Sequence, residues 1–128
     1  MLTEELMQTY IDDFQENLKS KKLTEKNIKK HTENIDFYLK EYIPRFEWME
    51  TLGETAQQVD DFLGYFFIRK CTWSSPTTIK ENAATFKKFY KLMLDKGRIE
   101  KADYDIMKDL ISEGLDEWIA DCIEYGSF

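Results

Sequence analysis

The sequence predicts an all-α protein, a compact orthogonal bundle of about five helices. Apolar residues recur at three- and four-residue spacing along most of the chain, and no segment alternates as a half-buried strand does. Cap and break residues such as Ser75-Pro76 and Gly97 separate these periodic stretches. With 128 residues, 42% of them apolar, the chain is long enough for the core of one domain, which we expect to span residues 1–128.

The first two helices are predicted from their N-terminal caps. Helix one should begin after Thr3, with two glutamates in its first turn, and end in the lysine-rich link at residues 19–22. Thr24 is the expected N-cap of helix two. Pro44 should end helix two, because the residue before a proline avoids the helical region.

The third helix is predicted from about Thr55 to Cys71, after a stretch without a clear period. Residues 45–54 contain Gly53 and irregularly spaced aromatics, so we expect a loop there with one helical turn at most. Val59, Phe62, Leu63, Phe66 and Phe67 are the residues of this helix that should point inward.

The fourth helix has the clearest signals. Ser75 is suited to the N-cap and Pro76 to the first helical position, where its fixed φ is favourable. Gly97 can take the left-handed conformation that closes a helix, with Ile99 folding back as its apolar partner. The apolar stripe between these signals consists of Ile79, Ala83, Phe86, Tyr90 and Met93.

The last helix is predicted to begin at or near Asp103 and to continue through an extra C-terminal segment at residues 113–125. Gly114 should weaken its middle by ~1 kcal/mol relative to alanine. A bend or break is therefore expected near that residue.

The net charge of −7 is unevenly distributed. Residues 19–30 hold six lysines against one acid, and residues 80–101 hold seven bases against three acids. The acidic total disfavours avid non-specific binding to nucleic acid, whereas the two basic segments allow a local, salt-sensitive contact. At ~100° per residue, Lys80, Lys87 and Lys91 lie within roughly 40° of one another on the fourth helix. These lysines fit either a solvated helix face or a phosphate-binding face.

Two apolar patterns resemble a known domain. The first is Thr77-Thr78-Ile79 followed by Phe86, Phe89-Tyr90, Leu92-Met93 and Lys96-Gly97-x-Ile99; the second is Leu23-Thr24 followed by Ile28 and Phe37-Tyr38-Leu39. Over roughly residues 5–112 they are similar to the SAM-like, core-binding N-terminal domain of phage integrases and other tyrosine recombinases.

The resemblance implies a helical clamp that contacts duplex DNA through its backbone, in a recombination-related accessory protein. Lysine without arginine gives point-charge contacts to phosphate and little base recognition, so binding should be weak, salt-sensitive and poorly sequence-specific. The residues that the resemblance places against DNA are Lys80, Lys87, Lys91, Lys26, Lys29 and Lys30.

The sequence gives no support for catalysis. The recombinase family needs arginines, a His-x-x-Arg segment and a nucleophilic tyrosine, but His31 is the only histidine and Asn34 stands three residues later. Because His31 has no histidine or cysteine at ligand spacing, we expect a partly buried structural histidine and no metal site. No cofactor, small-molecule substrate or membrane contact is expected either.

A second function class stays open beside DNA contact: an acidic protein-interaction module on the same fold, without DNA binding. Aromatic residues make up 15% of the chain, more than five apolar stripes need. Tryptophan is favoured at protein contacts, so the candidates for a partner or for self-association are Trp48, Trp73 and Trp118. Two cysteines, Cys71 and Cys122, are too few for a disulfide framework and indicate buried thiols in a reducing, cytoplasmic setting.

Overall fold

Five helices follow one another in the computed structural model, which describes residues 2–126. No strand occurs in that part of the chain, and the all-α prediction is confirmed. The helix that the sequence defines best is central: α4 packs against α1, α2 and α5, and α5 also packs along α3. The helices are α1 (Glu4–Ser20), α2 (Glu25–Phe37), α3 (residues 52–70), α4 (Pro76–Asp95) and α5 (Lys101–Tyr125).

Three predicted N-caps are confirmed. The hydroxyls of Thr3, Thr24 and Ser75 each accept a hydrogen bond from a backbone N–H three residues later, at 3.0, 3.2 and 3.0 Å. Each of these bonds satisfies a donor that has no partner within its own helix. The start of each of these helices is therefore fixed by local chemistry.

The predicted end of α4 is also confirmed. Gly97 has a φ of +72°, and its N–H donates to the carbonyl of Leu94 at 2.9 Å. The N–H of Arg98 donates to the carbonyl of Met93, also at 2.9 Å. This pair of bonds is the Schellman motif. It turns the chain so that Ile99 is 7% exposed.

Two π-helical turns occur, one directly after α2 and one within α3. After α2, a π turn at Tyr38–Tyr42 leads into a 3₁₀ turn at Ile43–Arg45, which includes Pro44. A second π turn, Phe62–Phe66, lies within α3 between Val59–Asp61 and Phe67–Lys70. The helical path therefore runs through Pro44 as a tightened turn and ends just after it.

The two π turns pack against each other through their rings. Phe62 lies 4.9 Å from Tyr38 and 5.0 Å from Tyr42, between ring centroids, and Tyr42 lies 5.0 Å from Phe66. Edge-to-face and tilted pairs at these distances are favourable beyond the area that they bury. This aromatic cluster joins α2 to α3 and fills one end of the core.

The first part of α3 is a short helical segment, Leu52–Ala56, which starts before the predicted Thr55 and is separated from Val59 by a turn at Gln57 and Gln58. The helix begins at Leu52, because Thr51 and Glu54 form a capping box in which each side chain bonds the other's backbone N–H. Hydrogen bonds from the N–H groups of Glu50 and Thr51, and from the Thr51 hydroxyl, lower the pKa of Glu54. The capping box fixes this helical turn at the end of the stretch where a loop with one helical turn was predicted.

The helix break that Gly114 would permit does not occur. α5 runs without interruption from Lys101 to Tyr125. It begins slightly earlier than expected, with Glu100 as N-cap and Asp103 as its capping-box partner. Gly114 sits under the Trp118 indole, and a Cβ at this position would overlap the ring. The glycine therefore serves packing and does not interrupt the helix.

Candidate functional site

The three lysines predicted on the fourth helix lie on one exposed side of α4. Lys80, Lys87 and Lys91, which we call the lysine face, are all exposed, and they flank the buried apolar stripe of the same helix.

One of these three lysines has a carboxylate partner. Lys91 pairs with Asp95 one turn later, at 2.9 Å between Nζ and Oδ1, and this pairing raises the pKa of Lys91. Both side chains of the pair are 55% exposed. Lys80 and Lys87 form no ion pair with any residue in the range 2–126. Two ammonium groups of the lysine face are thus available to an anion, and the third is held only by a solvent-exposed pair.

The α2 lysines are mostly engaged. Lys30 pairs with Glu81 of α4 at 3.0 Å, and its side chain is 32% exposed. Lys29 lies 3.8 Å from Glu33 on its own helix. Lys26 is exposed and has no ion pair in the described part of the chain. Lys30 therefore bridges α2 to α4, which leaves its ammonium group less available to phosphate than the sequence suggested.

The two groups of lysines do not form one patch. Glu81 and Thr85, the α4 residues that contact α2, lie roughly 100–140° around α4 from the centre of the lysine face. Lys88 lies between the lysine face and these two residues around α4, and it is exposed. Burial lowers the pKa of His31, and the charge of Lys88 lowers it further. Sequence reasoning missed Lys88, although its adjacency to Lys87 was a signal.

Two of the three candidate tryptophans are exposed. Trp48 is 60% exposed and packs edge-on against Phe46 at 6.0 Å. Trp73 is 54% exposed and lies 5.4 Å from Phe37, also edge-on. Each indole thus has one supported edge and one free face, which suits a contact surface.

The prediction of Trp118 as a protein-contact residue is wrong. Its side chain is 7% exposed and belongs to the core. The ring fits between α5 and α3 because Gly64 and Gly114 have no side chains to occupy the space; an added Cβ at Gly64 would lie 2.6 Å from the indole nitrogen. Periodicity alone did not reveal this, because Gly64 is distant in sequence.

A cleft that the sequence did not reveal lies between the start of α1 and the segment after α2. Its volume is about 560 Å³, and its apolar lining includes Met7, Ile43, Phe46 and Met49. The charged lining residues are Glu4, Lys40, Glu41 and Glu47. We call this the acidic cleft. Its walls come from chain segments some forty residues apart, so only the tertiary fold brings them together.

The titratable core groups serve structural roles. His31 is 8% exposed, and its Nδ1 lies 2.7 Å from the Thr85 hydroxyl. Burial raises the pKa of the Cys71 thiol to about 11, so this group is protonated at neutral pH. Both cysteines are unpaired and buried, as predicted. Among residues 2–126, no cluster of three or more histidine, cysteine or acidic side chains is arranged to hold a metal ion.

The three arginines are held by aromatic rings on different parts of the surface. Arg45 lies over Phe66, at 4.7 Å from guanidinium carbon to ring centroid, and Arg69 lies over Tyr65 at 4.4 Å. Arg98 pairs with Asp13 at 2.6 Å, which ties the α4–α5 link to α1. Arg45 and Arg69 thus lie over neighbouring rings of α3, and Arg98 is anchored to α1.

Within the described range, none of the helices combines the length and apolar character needed to cross a bilayer. Comparison of the chain with protein-family models, with curated proteins and with solved structures finds no match.

Proposed function

We propose that the protein is a non-catalytic DNA-binding module that contacts the phosphate backbone of duplex DNA through the lysine face. The observation that carries the proposal is the exposure of Lys80 and Lys87 on one side of α4 without carboxylate partners among residues 2–126. An unpaired ammonium group can bind phosphate without first breaking an ion pair. The Lys91–Asp95 pair is exposed and therefore screened by solvent, so phosphate can compete for this lysine.

The residue types indicate backbone contact without base recognition. A lysine ammonium is a compact point charge, whereas reading a base pair in the major groove favours the planar fork of arginine. No arginine lies on α4. The similarity of the apolar pattern to integrase core-binding domains supports a recombination-related accessory role by analogy of fold.

A salt titration with duplex DNA tests the proposal. If three phosphates are neutralised, the logarithm of the binding constant should fall with the logarithm of salt concentration at a slope of roughly −2.7. The triple variant K80A/K87A/K91A should lose most of that slope and most of the affinity at low salt. An unchanged slope in this variant would refute the lysine face as the DNA contact.

A matched control separates the lysine face from the effect of total charge. Lys21, Lys70 and Lys101 are exposed and lie just after α1, at the end of α3 and at the start of α5. The variant K21A/K70A/K101A has the same net charge as the lysine-face variant. We expect it to lower affinity only slightly, because none of these lysines belongs to the lysine face of α4.

The second candidate function is the acidic protein-interaction module without DNA binding. The exposure of Trp48 and Trp73 favours it, since tryptophan is enriched among residues that dominate interface energies. A W48A/W73A variant should then lose self-association or partner binding while keeping its helical content. A wild-type protein that binds no duplex DNA at low salt would leave this candidate in place of the first.

A further inference from the structure

We propose that the acidic cleft binds a basic segment of a partner protein, which inserts large apolar side chains between α1 and the segment after α2. The inference does not depend on DNA contact, because it uses a different surface. It rests only on the protein-contact part of the second candidate function, to which it gives a site and a partner chemistry, and it holds whether or not the lysine face binds DNA.

The floor of the cleft is apolar and belongs to the core. Met7, Ile43 and Met49 are 5%, 2% and 7% exposed, and Phe46 beside them is half-buried. Methionine side chains are flexible and polarisable, so they adapt to apolar groups of different shapes. At about 560 Å³, the cleft falls within the ~300–1,000 Å³ range of ligand pockets. The apolar side chains of a short peptide would fit there.

The rim is negatively charged. Glu4, Glu41 and Glu47 are all exposed where they line the cleft. Within residues 2–126, Lys40 is the one cation that lines the cleft, and it is already paired with Asp36 at 3.2 Å and also donates to the Gln8 side chain. Three carboxylates therefore face solvent, and no unpaired lysine or arginine of this range lines the cleft with them.

This charge pattern selects the occupant. Lysine or arginine residues next to an apolar side chain would meet the three glutamates as the apolar group enters the cleft. Nucleic acid and anionic lipid headgroups would be repelled by the same carboxylates. A basic protein segment is therefore the partner that satisfies both the floor and the rim.

Trp48 supports the assignment. Its indole is 60% exposed and packs against Phe46, which lines the cleft. A large aromatic side chain beside an apolar pocket can cover an inserted chain and exclude water from it. The exposed indole is thus placed to contact the segment that enters the cleft.

Methyl NMR of the intact protein tests the proposal directly. The probe is a short peptide of repeated Lys-Leu-Leu-Lys units, and the reporters are the methyl groups of the methionines. Met7 and Met49 line the cleft, whereas Met93 and Met107 are fully buried elsewhere in the core. We expect the peptide to shift the resonances of Met7 and Met49 and to leave those of Met93 and Met107 in place.

The charge of the rim is tested with E4Q/E41Q/E47Q, which should weaken peptide binding by roughly tenfold. A matched variant, D109N/E113Q/E117Q, removes the same charge from exposed positions of α5 and should bind nearly as well as wild type. Unchanged Met93 and Met107 signals show that each variant is folded. Equal weakening in the two variants would overturn the cleft as the site.

Two further outcomes would also overturn the proposal. One is a set of Met7 and Met49 signals that do not respond to the peptide; the other is an equal response to a peptide with glutamate in place of lysine. A shift of the same signals by duplex DNA would contradict the choice of partner. The wider protein-contact function is tested separately. The W48A/W73A variant also removes the indole of Trp73, which does not line the acidic cleft.

Discussion

The indole of Trp118 lies against the backbone of Gly114, one turn earlier in the same helix. A Cβ on Gly114 would overlap the six-membered part of the ring. Gly64 of α3 lies against the same indole, so that two glycines form the slot that holds it. This slot brings α5 close to the π turn of α3 and explains how a tryptophan near the chain end becomes part of the core.

Gly114→Ala should destabilise the protein, although alanine is the better helix former. Overpacking a filled site costs about 1–3 kcal/mol, whereas the helix-propensity gain from glycine to alanine is about 1 kcal/mol. We therefore expect a net loss of about 1 kcal/mol in the free energy of unfolding, measured by urea denaturation.

The same substitution should change sign when the ring is absent. In a Trp118→Leu background, the added methyl no longer meets the indole, and Gly114→Ala should stabilise by up to about 1 kcal/mol. If the substitution destabilised both backgrounds equally, contact with Trp118 could not be the reason for the glycine.

Lys22 and Gly97 occupy equivalent positions after two helices, with φ values of +60° and +72°. A non-glycine residue in this left-handed region costs about 1–2 kcal/mol, partly offset because glycine loses more entropy on folding. Lys22→Gly should therefore stabilise by about 1 kcal/mol, and Gly97→Ala should destabilise by about the same amount. Urea midpoints at unchanged slope would measure both effects. A stabilising Gly97→Ala would contradict the backbone argument.

Local signals predicted most of the helix boundaries. Ser75-Pro76 and Gly97 carry their own conformational preferences, so the ends of α4 could be predicted from neighbouring residues alone. The capping box of Thr51 and Glu54 was equally local, and it could have been recognised from the spacing. Lys22 gave no such signal, because a lysine in the left-handed conformation is imposed by the rest of the fold.

The site could be predicted only in part. The spacing of Lys80, Lys87 and Lys91 predicts that they share one face, because the three residues lie on a single helix. Whether a lysine is free depends on other helices: Glu81 reaches Lys30 across fifty-one positions of sequence. The acidic cleft likewise needs α1 beside the segment after α2, a relationship that no local pattern encodes.

Thr55 joins three elements through buried hydrogen bonds, and its replacement by valine should be costly. The Tyr38 hydroxyl donates to the Thr55 carbonyl at 2.6 Å, and the Thr55 hydroxyl donates to the carbonyl of Leu52 at 2.5 Å. The Thr55 oxygen must then accept from the Tyr90 hydroxyl, which lies 2.7 Å away. Thr55→Val leaves the Tyr90 hydroxyl without this partner, and we expect a loss of about 1–3 kcal/mol in the free energy of unfolding.

A double-mutant cycle tests this assignment. Tyr90→Phe removes the hydroxyl that Thr55→Val leaves unpaired, so the double variant should be more stable than the sum of the two single losses predicts. Strict additivity in chemical denaturation would show that the two side chains are not coupled.

His31 is held neutral by its surroundings. Thr85 donates its hydroxyl proton to the carbonyl of Glu81 at 3.0 Å and accepts from the Asn34 amide at 3.1 Å. The remaining contact is a hydrogen bond of 2.7 Å between Nδ1 of His31 and the Thr85 hydroxyl. This hydrogen bond joins α2 to α4 beside the buried imidazole.

The pKa of His31 is lowered from its ordinary value of 6.5, first by burial and then by Lys88 and Lys30, against a smaller opposing effect of Glu81. The unfolded chain therefore binds this proton more tightly than the folded protein does. Stability from this group is complete above pH 6.5 and is lost as the pH falls from there through the folded pKa.

His31→Gln should make the stability less sensitive to acid, because glutamine can still form a hydrogen bond with the Thr85 hydroxyl but does not titrate. Urea unfolding of both proteins at about pH 7 and about pH 5 measures the effect, and carboxylates that titrate in this range affect both proteins alike. We expect wild type to lose more stability than the variant on acidification. Lys88→Ala removes a neighbouring positive charge, so this variant should lose less stability on acidification than wild type does. Parallel pH profiles of stability for wild type and His31→Gln would exclude His31 as the source of the acid sensitivity.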